Sequence, residues 1–234
     1  PTPSDFQVSI QYVSNGRTRT DRRELRTIVY EPGTLTWGDG VARAAAFITP
    51  THRVIEDYAR RLLDSVPPRV DRFLNRTATT AALVFNGLSA QGFTYTPDPL
   101  NPFSNVQGDA VAVDDIQYPV ELLQSERGDC DDMSVLYASL LESVGVGTAL
   151  VDVPGHIFVM VDTGLSERDR RLTGFPPELF VVRAGRLWIP VETTSLGEPF
   201  HVAWRAGADL YARWEETGRS SVVDVLDARA RHEA

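Results

Sequence analysis

The stretch that most constrains what this chain can fold into is Glu126–Leu141, ERGDCDDMSVLYASLL. It carries the single cysteine, Cys130, followed by apolar residues at Met133, Leu136, Tyr137, Leu140, Leu141 and Val144. That i, i+3, i+4, i+7 spacing predicts a helix with one buried face. Cys130 lies three residues before Met133 and extends the same stripe at its N-terminal end, delivered by the turn Arg127-Gly128-Asp129. A thiol there meets unsatisfied backbone N–H groups and the positive end of the helix dipole, both of which favour a thiolate.

The 234 residues are enough to bury a real core, as one domain or as one domain with an appendage. The net charge of −9 argues against nucleic acid and anionic membrane surfaces as partners. No apolar run reaches membrane-spanning length and no signal-peptide pattern is present, so no membrane insertion is expected. A single cysteine excludes an internal disulfide. The start at Pro1 rather than Met suggests part of a larger multidomain chain or a processed form.

Upstream, Phe6, Val8, Ile10 and Tyr12 alternate before the turn signal Asn15-Gly16, and Leu25–Glu31 reads as the return strand. Arg17, Arg19, Arg22 and Arg23 then read as a solvated hairpin tip. Residues 1–40 are therefore assigned to an N-terminal β-hairpin appendage and 41–234 to the main domain. Thr49 as N-cap with Pro50 after it opens a helix whose apolar face is Val54, Tyr58, Leu62 and Leu63, ended by Pro67-Pro68. A second helix spans about Val70 to Gln91, with Phe73, Leu74, Ala81, Phe85 and Leu88 inward and Gly92 as its cap. Phe93-Thr94-Tyr95 is a short extended piece. The Pro/Asp/Asn/Gly-rich segment from Thr96 to Asp115 reads either as a cleft wall or as a solvated excursion. Tyr118-Pro119 opens a short helix. Past Gly145, Thr148–Val153, His156–Asp162, Leu179–Arg183 and Arg186–Thr193 read as strands. An amphipathic helix with Trp204, Leu210, Tyr211 and Trp214 follows, then a weaker segment to Ala234. Helices followed by at least three antiparallel strands define an α+β plan.

A thiol nucleophile needs a base, and the base needs an orienting acceptor. His156 opens a strand on which it shares a face with Phe158, Met160 and Asp162. Glu192 ends the next hairpin and can accept the second ring N–H of His156.

Gly128-x-Cys130-Asp131 at a helix start, Gly145, His156 opening a strand and Trp188-Ile189-Pro190-Val191-Glu192 together resemble the transglutaminase-like cysteine hydrolases and acyltransferases. The resemblance covers roughly Ala44 to Gly197, in the order Cys, His, acid. It implies a papain/transglutaminase-like core, with a nucleophile helix packed on an antiparallel β-sheet. It further implies Cys130 as nucleophile, His156 as base and Glu192 as orienting carboxylate. The family's usual acid is Asp; Glu192 departs from that by one methylene, and Asp162 is the alternative. The implied chemistry is acyl transfer on an amide or peptide bond of a protein or peptide substrate through a Cys130 thioester. The oxyanion would be held by the Cys130 backbone N–H with Gln124 or Tyr118 as the second donor. The resemblance and the start at Pro1 favour an extracytoplasmic location. The rival reading is a non-catalytic binding module of the same fold.

All 23 basic residues are arginine, so the chain offers no side-chain amine for crosslinking to itself. No cofactor and no metal are expected: EF-hand spacing is absent, and Cys130, His156 and His201 lack paired zinc-ligand spacing. The acidic triplet Asp129, Asp131 and Asp132 opposes the helix dipole favourably, yet would raise the Cys130 pKa. An arginine partner, backbone caps, or a Ca²⁺ shared with Asp109, Asp114 or Asp115 would each account for it.

Overall fold

Asn15 and Gly16 take positive φ values of 52° and 72°, as a two-residue type I′ turn requires. Around them β1 (Thr2–Ser14) pairs antiparallel with β2 (Arg17–Val29), with Phe6 opposite Leu25. Because the turn consumes only two residues, the arginine-rich stretch is strand from Arg17 onward rather than a hairpin tip. The computed structural model describes residues 2–37, 40–65, 74–97 and 113–232. This hairpin belongs to one compact unit, Pro1–Thr34, and the rest of the chain to a second, Leu35–Ala234.

In the second unit β3 (Thr34–Thr36) pairs with β5 (Val113–Asp115), and β4 (Thr94–Tyr95) with β6 (Arg127–Gly128). Its helices are α1 (Arg53–Asp64), α2 (Arg76–Gln91), α3 (Pro119–Ser125), α4 (Cys130–Ser143), α5 (Phe200–Glu215) and α6 (Val225–His232). The main sheet has β7 (Thr148–Val153), β8 (His156–Ser166), β9 (Val181–Arg183), β10 (Arg186–Val191) and β11 (Ser221–Asp224). Its order is β11-β7-β8-β10-β9, antiparallel throughout. The α+β plan is therefore the observed one. The tail segment expected to be weak supplies an edge strand and a helix.

The cysteine helix is buried on every side, not on one face: all twelve residues from Cys130 to Leu141 are buried. Ser139 and Tyr137 tolerate this because each finds a partner. The Ser139 hydroxyl donates to the Val135 carbonyl at 2.7 Å and accepts from the Thr49 N–H at 3.1 Å. Tyr137 donates to the Ala81 carbonyl at 2.9 Å. Against this helix the sheet turns Leu150, Ile157, Val159, Val161, Ile189 and Val191. Phe158, Met160, Val151 and Trp188 pack on the opposite face with Leu210, Tyr211 and Trp214. Burying a side chain such as Leu136 or Ile157 contributes about 1.5–3 kcal/mol each, so the sheet fixes the position of α4 firmly.

Two helix starts differ from expectation. α1 begins at Arg53, capped by His52, whose Nδ1 accepts from the Val54 N–H at 3.3 Å. Thr49–His52 forms a preceding turn instead, and the buried face becomes Ile55, Ala59 and Leu62, with Val54 exposed. α2 begins at Arg76 because Asn75 caps it, its Oδ1 accepting from the Ala78 N–H at 2.9 Å. Ala81, Phe85 and Leu88 face inward and Gly92 ends α2 at φ 90°, as expected. The expected stop at Pro67-Pro68, the start near Val70, Phe73, most of the Thr96–Asp115 loop and Ala234 lie outside the described residues.

Candidate active site

Glu126 ends α3 in the left-handed region at φ 54°, and the chain then pairs β6 in parallel with β4 before entering α4. Gly128 is needed there for space. A Cβ at this position would lie 2.6 Å from the Asp132 Cβ and 2.9 Å from Leu122 Cδ1. Gly128→Ala is therefore expected to destabilise the fold by about 1–3 kcal/mol through overpacking. Thermal or urea denaturation checks this; an unchanged midpoint would count against the packing account.

Asp129 caps α4, and the Asp132 carboxylate reaches back to the Asp129 N–H at 3.3 Å, forming a capping box. Gln117 locks the same carboxylate, donating from its backbone N–H and from Nε2, each at 2.7 Å. Of the three explanations for the acidic triplet, backbone capping is thus observed for Asp129 and Asp132. Asp114 is turned to Trp37, whose indole N–H donates to it at 2.8 Å. Asp109 lies outside the described residues.

Cys130 opens the helix with 4% of its surface exposed, and the backbone N–H of Ile157 favours its thiolate form. The expected preference for thiolate is reversed. Burial pushes the thiol well above its ordinary value, and the charges of Asp131 and Asp129 push the same way; the Ile157 N–H opposes them without winning.

His156 sits at the first position of β8, one residue before Ile157. Its Nε2 lies 2.9 and 2.8 Å from the two Glu192 carboxylate oxygens. The reason differs from the one expected. The residues of β8 that face α4 are Ile157, Val159 and Val161, not the set of Phe158 and Met160 that alternates with His156. The histidine is near the helix start because it begins the strand. Its ring stacks on Phe158, with centroids 6.0 Å apart.

Glu192, 8% exposed, follows the last residue of β10. Burial alone would raise its pKa, but hydrogen bonds from His156 and Thr194, with the His156 charge, outweigh it and hold the carboxyl below its usual value. The Thr194 hydroxyl donates to Oε1 at 2.6 Å and the Thr194 N–H at 3.0 Å. Thr193 ties this turn to α4, its hydroxyl 2.9 Å from that of Ser134. Asp162, the alternative acid, is held by Arg186 at 2.8 Å, towards the other end of β8.

Gln124 is exposed on α3, and the Tyr118 ring lies 5.1 Å from that of Phe47. His201 is exposed on α5. One aromatic at the site went unremarked in the sequence. Tyr95 on β4 is raised in pKa by partial burial and by the charges of Cys130, Asp129, Glu192 and Asp131. The only signal for it was its place in an extended piece before a long loop. Thr194 and Gln117 were missed likewise; both act through atoms that a motif does not display.

No protein-family model matches the chain, and no curated protein matches it. Among solved structures it is similar to a protein of Parabacteroides distasonis described as a "putative protease", at 10% identity and a TM-score of 0.36. The match covers 69% of this chain and 36% of that one, so the chain spans about a third of that protein's length. Among the described residues, no helix is long and apolar enough to cross a membrane.

Proposed function

We propose that the chain is a transglutaminase-like cysteine enzyme that cleaves amide or peptide bonds by acyl transfer, with water rather than an amine as the usual acceptor. The observation that carries this reading is the His156–Glu192 pair at 2.8 Å, one residue along β8 from Ile157, whose N–H favours the Cys130 thiolate. With Nε2–H donating to Glu192, Nδ1 is the nitrogen that takes the thiol proton. The thiol rests protonated, because its surroundings oppose the charge, so His156 acts as a general base during attack rather than holding a standing ion pair. The sulfur adds to the carbonyl carbon. His156 then returns the proton to the leaving amine, and a thioester to Cys130 remains until water resolves it. The Cys130 backbone N–H at the helix start stabilises the oxyanion together with one side-chain donor. Of Tyr118, Gln124 and Tyr95, the electrostatic coupling of Tyr95 to Cys130 favours Tyr95.

The deep burial of the thiol favours the second reading, a binding module in which Cys130 is inert. Iodoacetamide decides between them. In native protein Cys130 is expected to alkylate, faster as pH rises, with His156→Ala slowing the reaction more than about tenfold. A cysteine that labels only on unfolding would end the catalytic reading.

A further inference from the structure

One feature of the α4 start is unused by this mechanism. Asp131 is 1% exposed, and its Oδ1 accepts from the Asp132 N–H at 3.0 Å while its Oδ2 meets no hydrogen-bond donor. The neighbour it does have is another carboxylate, Asp129. Two carboxylates in contact must share either a proton or a cation. The third member of the group is the Cys130 sulfur: one donor atom from each of Asp129, Cys130 and Asp131 lies within 4.8 Å of the other two, all in buried residues. Four-coordinate zinc with ligands at about 2.0–2.3 Å needs donors about 3.3–3.8 Å apart, within reach by small side-chain adjustments. Asp129 also lines a surface cavity of about 310 Å³ with Thr96, Asp115 and Gln117, which gives an ion a route to one of the three donor residues.

We propose that Asp129, Cys130 and Asp131 form a binding site for a thiophilic divalent cation of the zinc class. Two carboxylates and one thiolate supply the donors, and water completes the shell. The metal–sulfur bond forms as the thiol proton leaves to water, and any proton held between the two carboxylates is released with it. The ion turns the charge around the sulfur from repulsive to attractive, which accounts for the carboxylates that surround it. Mg²⁺ and Ca²⁺ lack affinity for sulfur and do not compete. The site stands whether or not Cys130 is a nucleophile; if it is, the bound ion blocks acylation reversibly.

The test uses tag-free chain, stripped by chelator and dialysed against Zn²⁺, with Cd²⁺ as the spectroscopic probe. One ion per chain is expected, with a thiolate-to-metal charge-transfer absorption on Cd²⁺ addition. Cys130→Ser should abolish that absorption. Cys130→Ser and Asp131→Asn should each weaken Zn²⁺ binding at least about tenfold, while circular dichroism shows the fold retained. Should Asp131→Asn fail to fold, Cys130→Ser and Asp129→Asn decide the matter. No stoichiometric ion, no charge-transfer band, or equal Zn²⁺ affinity in the folded variants would overturn the proposal. Because these readouts are binding and absorption, they are independent of whether the chain turns over any amide.

Discussion

Glu192→Gln is expected to slow acylation of Cys130 by about two to four orders of magnitude, while Cys130→Ala abolishes it. A suitable acyl donor is p-nitrophenyl acetate, with the acetyl group located on the protein by mass spectrometry. The size of the effect follows from the tautomer. Glu192 takes the Nε2–H of His156 through both oxygens at 2.8 and 2.9 Å, so Nδ1 carries the lone pair. A glutamine amide offers the ring a donor as well as an acceptor, so both tautomers are held and the base is partly misdirected. Glu192→Asp keeps the charge but shortens the reach, so it should retain more activity than Glu192→Gln. If Glu192→Gln acylates at the parent rate, the acid lies elsewhere and the assignment fails.

The second large effect concerns stability and pH. Burial pushes Asp132 up to about 7; the charge of Asp129 adds to this, and the Gln117 hydrogen bonds only partly offset it. Asp131 is driven upward by burial, then by the adjoining Asp129 carboxylate and the other neighbouring carboxylate charges. A folded-state pKa above the unfolded value near 4 means the folded chain binds more protons across that interval. Stability is then greatest below the unfolded pKa and is lost as pH rises through the folded one. In chelator-treated protein, unfolding free energy should fall by on the order of a few kcal/mol between pH 4 and pH 8 from these groups. Glu192, with its lowered pKa, acts oppositely and only in more acid solution. Asp131→Asn replaces a carboxyl whose ionised form the site disfavours and gives Asp129 an amide donor. It should raise the melting temperature at pH 8 and flatten the decline. A variant whose stability runs parallel to the parent across that range would refute this account.

The parts legible in the sequence were those where a local rule and the tertiary fold agree. The hairpin turn at Asn15-Gly16 and the cap at Gly92 need positive φ, and the residue types announce it. The pairing of His156 with Glu192 was anticipated from their places at a strand start and a hairpin end. What failed did so for physical reasons. The start of α1 was misplaced because Thr49-Pro50 is a good cap on composition, while His52 caps through Nδ1 and the Thr49 N–H goes to Ser139. The stripe on α4 looked one-sided because apolar spacing alone leaves out Ser134 and Ser139, whereas each finds a partner across the core. The thiol looked activated because the helix dipole is a local effect. The opposing desolvation comes from the strands and loops that close over Cys130, which no window around residue 130 contains.

The full enclosure of α4 has a consequence for how the site moves. A segment packed on every side exchanges its amides only when the whole unit opens, so the thiol is mounted on the last part of the chain to loosen. His156 and Glu192 instead stand where strands begin and end. Under the proposed function, a substrate is therefore received around a stationary sulfur.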